Sequence, residues 1–170
     1  MDHPSNDKLA YESSMSHESY SSVGWMVLFS VIVNYIILSN VMLTFQNGIY
    51  NYLNKLYMSL LMGAVMAIIM ILIMIFESHK LTSTSLIIII ISLLSSIVLI
   101  ILIRDQTFVY QASFSKSMIE HHDMAILMSD QILNKPGQSP AVYELANTII
   151  ISQQAEIDLM QSWLHNGFPS

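Results

Sequence analysis

Leu81-Thr-Ser-Thr-Ser-Leu-Ile-Ile-Ile-Ile-Ile-Ser-Leu-Leu-Ser-Ser-Ile-Val-Leu-Ile-Ile-Leu-Ile103 contains no charged residue. Coiled into a helix, such a run is long enough to cross the hydrocarbon core of a bilayer, about 30 Å. Residues 56–76 and 19–54 are equally free of Asp, Glu, Lys and Arg, with Lys55 standing alone between them. Of 170 residues 54% are hydrophobic and 11% charged, whereas soluble domains carry about 25% charge. The fold class is therefore all-α, with three transmembrane helices near 24–46, 56–76 and 84–103. Trp25 and Phe45 suit the membrane–water boundary of the first. Asn34 and Asn40 inside it are expected to hydrogen-bond another span.

Three domains follow: a polar, flexible tail over 1–22, a three-helix membrane domain over 23–104, and a helical hairpin over 105–170. Twelve acidic residues against six basic ones argue against nucleic acid as a partner, and the charge-free spans make membrane lipid the expected one. The absence of cysteine excludes disulfides, thiolate metal sites and a thiol nucleophile. Lys8 and Lys80 fall on one side of the membrane, Lys55, Arg104 and Lys116 on the other. That leaves the side of the C-terminal domain open.

In the hairpin, helices are expected over 107–134 and 141–165. Pro136 and Gly137 stop the first, and Ser139-Pro140 starts the second. Phe114, Met118, His121, Ala125, Met128 and Ile132 form one helical stripe, and Leu145, Ile149, Glu156, Met160 and Trp163 another. His121 and Glu156 are out of place in apolar seams, because a buried carboxylate must be paired, protonated or metal-bound. Antiparallel packing about Gly137 puts His121 opposite Gln154, His122 opposite Gln153 and Met118 opposite Asp158. A cluster of Met118, His121, His122, Gln153, Glu156 and Met160 results. Thioethers with imidazoles are soft-to-borderline ligands suited to copper or silver. The alternative is a non-metal interaction module in which His121 and Glu156 form a buried polar lock.

No catalytic pattern is present. The di-iron Glu-x-x-His spacing fails at Leu159 and Asp123. His-Glu-x-x-His, Gly-rich phosphate loops and Gly-x-Ser-x-Gly are missing, so no enzyme and no catalytic residue is expected. Two weaker features remain. Met58, Met62, Met66, Met70 and Met74 step by four along the second span, either as a packing ridge or as a thioether ladder for a cation. Met1 and His3, with Met15 and His17 nearby, could supply an N-terminal copper or nickel site.

The stretch Met118-Ile-Glu-His-His-Asp-Met-Ala-Ile-Leu-Met128, then Ala146-Asn-Thr-Ile-Ile, Gln154-Ala-Glu-Ile-Asp-Leu-Met160 and Trp163-Leu164, resembles a bacterial family catalogued as domain of unknown function three-hundred-five. Its signature reads Met-Ile-x-His-His-x-x-Ala-x-x-Met, then Gln-x-x-Glu-Ile-x-x-Met, the Gln being Gln153 here. The front, Tyr57-Met-Ser-Leu-Leu-Met-Gly-Ala-Val-Met66, is similar to membrane-bound members. The resemblance implies a ferritin-like helical fold and an association with copper or silver. It carries over Met118, His121, His122, Met128, Glu156 and Met160 as candidate ligands. It also implies a multi-pass protein of the bacterial inner membrane. A hairpin of this length builds little core alone, so it is expected to form a bundle by homo-oligomerisation or to dock on another protein, such as a metal-handling one. The expected function is sequestration or buffering of the ion at the membrane.

Overall fold

The computed structural model describes residues 6–169, with side chains from Tyr20 onward. It contains five α-helices and no strand among the described residues: α1 (Asn6–Ile36), α2 (Leu53–Ser78), α3 (Ser83–Arg104), α4 (Gln111–Leu133) and α5 (Pro140–Asn166). Three stretches, Tyr20–Asn40, Leu53–Ser78 and Ser83–Arg104, are long and apolar enough to cross a membrane. The second and third match their expected positions. The first differs at both ends. Helix α1 already begins at Asn6, where a flexible tail was expected, and no Pro or Gly interrupts it before Gly24. It stops at Ile36, not near Phe45, because side chains capture its last carbonyls. Ser39 Oγ donates to Tyr35 O at 2.6 Å and Asn40 Nδ2 to Ile36 O at 2.8 Å. Phe45 then adopts φ 64°.

The chain forms two compact units. The first comprises the described residues up to Asn34 together with Met58–Leu102. Its helices meet through small residues, as membrane helices do where backbones approach closely. On α2 the buried row is Ser59, Gly63, Ala67 and Ile71, a ridge at steps of four. The methionine row lies beside this ridge and does not form it: Met58 and Met62 are exposed, Met66, Met70 and Met74 half-buried. On α3 the buried residues are Ser85, Ser92 and Ser96. Asn34 Nδ2 donates to Ser59 Oγ at 3.1 Å, the inter-span bond expected of a buried amide.

Gly63 marks the closest approach. A Cβ there would lie 2.5 Å from Val31 Cγ2 and 3.5 Å from Val27 Cγ1. Gly63→Leu is expected to part α1 from α2 and lower stability by about 1–3 kcal/mol, read as a lower thermal midpoint in lipid nanodiscs. Adding Val31→Ala should recover part of the loss.

The second unit comprises Tyr35–Tyr57 and the chain from Ile103 onward. The hairpin is therefore not self-contained: the segment preceding α2 belongs to it. Helix α4 starts at Gln111, later than expected, because Gln106 and Phe108 take φ 50° and 61° and break the helical path. The turn into α5 is as the sequence indicates. Gly137 has φ 83°, a left-handed conformation that suits glycine. Ser139 caps α5 by accepting from Val142 N, with Pro140 in the first turn.

Candidate functional site

Helix α4 buries Ser115, Ile119, Glu120, His122, Asp123 and Ser129. Five of these six are polar, and Glu120, His122 and Asp123 among them are paired. One edge of this face meets α5 and the other meets the Tyr35–Tyr57 segment.

Along the α5 edge, Ile119, Ile157 and Met160 form a buried cluster, with Met118, Ile126, Trp163 and Leu164 packed against it. His122 Nε2 lies 2.6 Å from Glu156 Oε2, and His122 Nδ1 lies 2.8 Å from Met118 O. A backbone carbonyl only accepts, so Nδ1–H is the donor and Nε2 faces the carboxylate. One proton must therefore sit between Nε2 and Oε2. Antiparallel packing carries the pairing into the next turn, where Met118 and Met160 occupy neighbouring positions on the two helices. His122, Glu156, Met118 and Met160 thus occupy two adjacent turns of one seam.

This register is displaced by three residues from the expected one: His122 faces Glu156 where Gln153 was expected. The His121–Glu156 lock does not form. His121 is exposed, its ring centroid 6.2 Å from that of His122. The reason is rotational. The chosen apolar stripe runs one residue to the side of the buried face, a turn of about 100° on a helix. Met128 is 60% exposed and stands apart from the seam. Gln153 is half-buried, and Glu156 keeps 56% of its side chain exposed despite its partner. Met1 and His3 lie outside the described residues, and Met15 and His17 fall on α1 where only the backbone is described. Among the described residues no three His, Cys, Asp or Glu side chains converge as a metal site.

The other edge of α4 carries groups that sequence reasoning passed over. Lys55 and Glu120 pair at 3.3 Å with side chains 1% and 2% exposed. Lys55 Nζ also donates to Asn40 Oδ1 at 2.5 Å and Tyr50 O at 3.3 Å. It lies within 6 Å of the Tyr35 and Tyr52 ring centroids, at 5.9 and 5.6 Å, in cation–π range. Glu120 Oε1 further accepts from Tyr50 N at 2.7 Å. Asp123 is satisfied by neutral donors: Thr44 N at 2.7 Å, Thr44 Oγ1 at 2.6 Å and Asn47 Nδ2 at 2.8 Å. From α5, Gln154 Nε2 donates to Asn47 Oδ1 at 3.3 Å and Gln161 Nε2 to Asn47 O at 3.1 Å. A polar lock does exist, therefore, built by Glu120 and Asp123 and not by His121. The sequence signal was available: Lys55 is the one charge between Glu18 and Glu77, and Glu120 and Asp123 share a helix face one turn apart.

Burial, and then the Glu120 carboxylate, push the Tyr52 hydroxyl well above its ordinary value of 10.0. The folded state therefore holds the Tyr52 proton more tightly than the unfolded chain. Tyr52 contributes no pH dependence below about pH 10, and stability is lost as pH rises from there toward its folded value. Tyr52→Phe should flatten the fall in stability above pH 10, measured by denaturation at pH 9, 10 and 11.

Residues 111–167 match a family described as a domain of unknown function, DUF305. The uncharacterized protein L153 of Acanthamoeba polyphaga mimivirus is 38% identical over 140 residues, covering 82% of this chain and 88% of the viral protein. No solved structure matches. The family match takes in the whole His122–Glu156 seam. The chain belongs to the same family as the mimivirus protein and carries a DUF305 domain in its last two helices.

Proposed function

We propose that this protein is a membrane-anchored binder of a soft monovalent cation, copper(I) or silver(I), which it sequesters or buffers on the α4–α5 seam. The observation that carries this reading is the His122 ring. Its Nδ1 is tied to the Met118 carbonyl at 2.8 Å, the outer hydrogen bond that orients metal-ligating histidines. Nε2 shares a proton with Glu156 Oε2 at 2.6 Å, which an incoming ion would displace, and two thioethers lie in the next turn. That set matches the softness of these ions. The fit is limited to this seam: His121 serves as an auxiliary ligand, and Met128 and Gln153 are outer residues.

The proposed role is binding, supported by the thioethers of Met118 and Met160 packed beside the His122–Glu156 pair. Protons compete with metal for Nε2, so affinity falls as the medium is acidified. The anchor is multi-pass. The bacterial inner membrane implied by the motifs gives way here to a membrane of unassigned origin, since the matched relative is viral. Exposed Phe114, Met128 and Leu145 favour a second copy of α4–α5 completing a ferritin-like bundle, on which a metal-handling protein could also dock. The test is titration of the full chain in nanodiscs with Ag(I). His122→Ala should lose binding and His121→Ala retain most of it; equal loss, or no binding by the parent chain, would overturn the reading.

The non-metal alternative draws on the Lys55–Glu120 and Asp123–Thr44–Asn47 contacts. They fix α4 to the Tyr35–Tyr57 segment without any ion, and they coexist with a metal site on the opposite edge.

A further inference from the structure

Beyond the two thioethers the same seam opens into a cavity of about 260 Å³ lined by Gln111, Phe114, Ser115, Trp163, Phe168 and Pro169. Its polar feature is Ser115, which is 1% exposed and whose Oγ has no hydrogen-bond partner. A helical serine can bond the carbonyl four residues back, and leaving a buried hydroxyl unpaired is destabilising. Gln111, which also lines the cavity, is the first residue of α4. No side chain caps that helix start and no acidic residue lies in its first turn. The local field there favours an anion.

The remaining walls are aromatic. Gly167, at φ 99°, ends α5 with its N–H on Trp163 O at 2.9 Å. The turn brings the Phe168 ring to 6.3 Å from that of Trp163. The cavity therefore combines three aromatic rings, one orphan hydroxyl and an uncapped helix start.

We propose that this cavity binds a small aromatic carboxylate. The ring lies among Phe114, Trp163 and Phe168, and the carboxylate accepts from Ser115 Oγ–H, one turn in from the start of α4. A volume near 260 Å³ suits a single ring with one polar substituent, since an apolar cavity of about 150 Å³ takes benzene. This site is separate from the metal reading, and its test uses no metal.

The chain has two tryptophans, Trp25 and Trp163, so Trp25→Phe leaves Trp163 as the sole reporter. Benzoate, toluene and acetate are titrated against this full-length variant in lipid nanodiscs, with Trp163 emission and thermal midpoint as readouts. Benzoate should shift the emission saturably and raise the midpoint, with acetate inert and toluene weaker. Ser115→Ala should weaken benzoate about tenfold, the worth of one hydrogen bond to a charged group. Without benzoate that variant should be at least as stable as its parent, because it removes an unpaired polar atom. No saturable response to benzoate, equal affinity for toluene, or unchanged benzoate affinity in Ser115→Ala would each overturn the proposal.

Discussion

Replacing Lys55 by alanine is expected to destabilise the unit containing α4 and α5 by about 3–5 kcal/mol, the range for removing one partner of a buried ion pair. The Coulomb term is the smaller part of that loss. Without the ammonium, Glu120 keeps a buried charge against Tyr50 N–H and the Tyr52 hydroxyl alone, and Asn40 Oδ1 loses its donor. Lys55→Met with Glu120→Gln should recover most of the stability. The thioether chain fills the space of the lysine stem, and the glutamine oxygen still accepts from Tyr50 N. Hydrogen exchange of the α4 amides in nanodiscs reads both variants. An alanine variant with parental protection would show that the pair is dispensable.

His122→Ala is expected to reduce Ag(I) affinity by about 100-fold or more, since even outer partners of metal ligands are worth 10–100-fold. The control is Glu156→Gln, which keeps a hydrogen-bond acceptor for Nε2 but lowers the ligand's charge. It should weaken binding less than His122→Ala while preserving the helix register. His121→Ala removes a solvent-facing ring and should have a small effect. The loss must be measured on the full chain. Truncation to residues 105–170 would strip Thr44, Asn47 and Lys55 from Asp123 and Glu120, leaving two buried carboxylates unsatisfied.

Much of the architecture was legible because its causes are local. The charge-free runs give the spans, Gly137 the turn, and Ser139-Pro140 the start of α5. The face of α4 was not legible from hydrophobic periodicity. Phe114, Met128 and Leu145 satisfy the apolar pattern and are exposed, while Glu120 and Asp123 break it and are buried. Periodicity ranks residues by transfer from water. Here burial follows hydrogen-bond pairing with a segment some 70 residues away, such as Tyr50 with Glu120. That offset of one residue on α4 moved the histidine partner of Glu156 from His121 to His122. Both His121 and His122 are legible as candidates; the structure brings His122 to Glu156 and leaves His121 exposed. The end of α1 was missed for a related reason: Ser39 and Asn40 bond back to the helix, which a hydropathy window does not register.

X-ray absorption at the silver edge of the Ag(I)-loaded full chain tests the seam most directly. A mixed shell of nitrogen and sulfur is expected, with the sulfur contribution lost in Met118→Leu/Met160→Leu and the nitrogen contribution lost in His122→Ala. A shell of nitrogen and oxygen alone, or one unchanged by the double methionine variant, would contradict a site built from His122, Glu156 and the two thioethers.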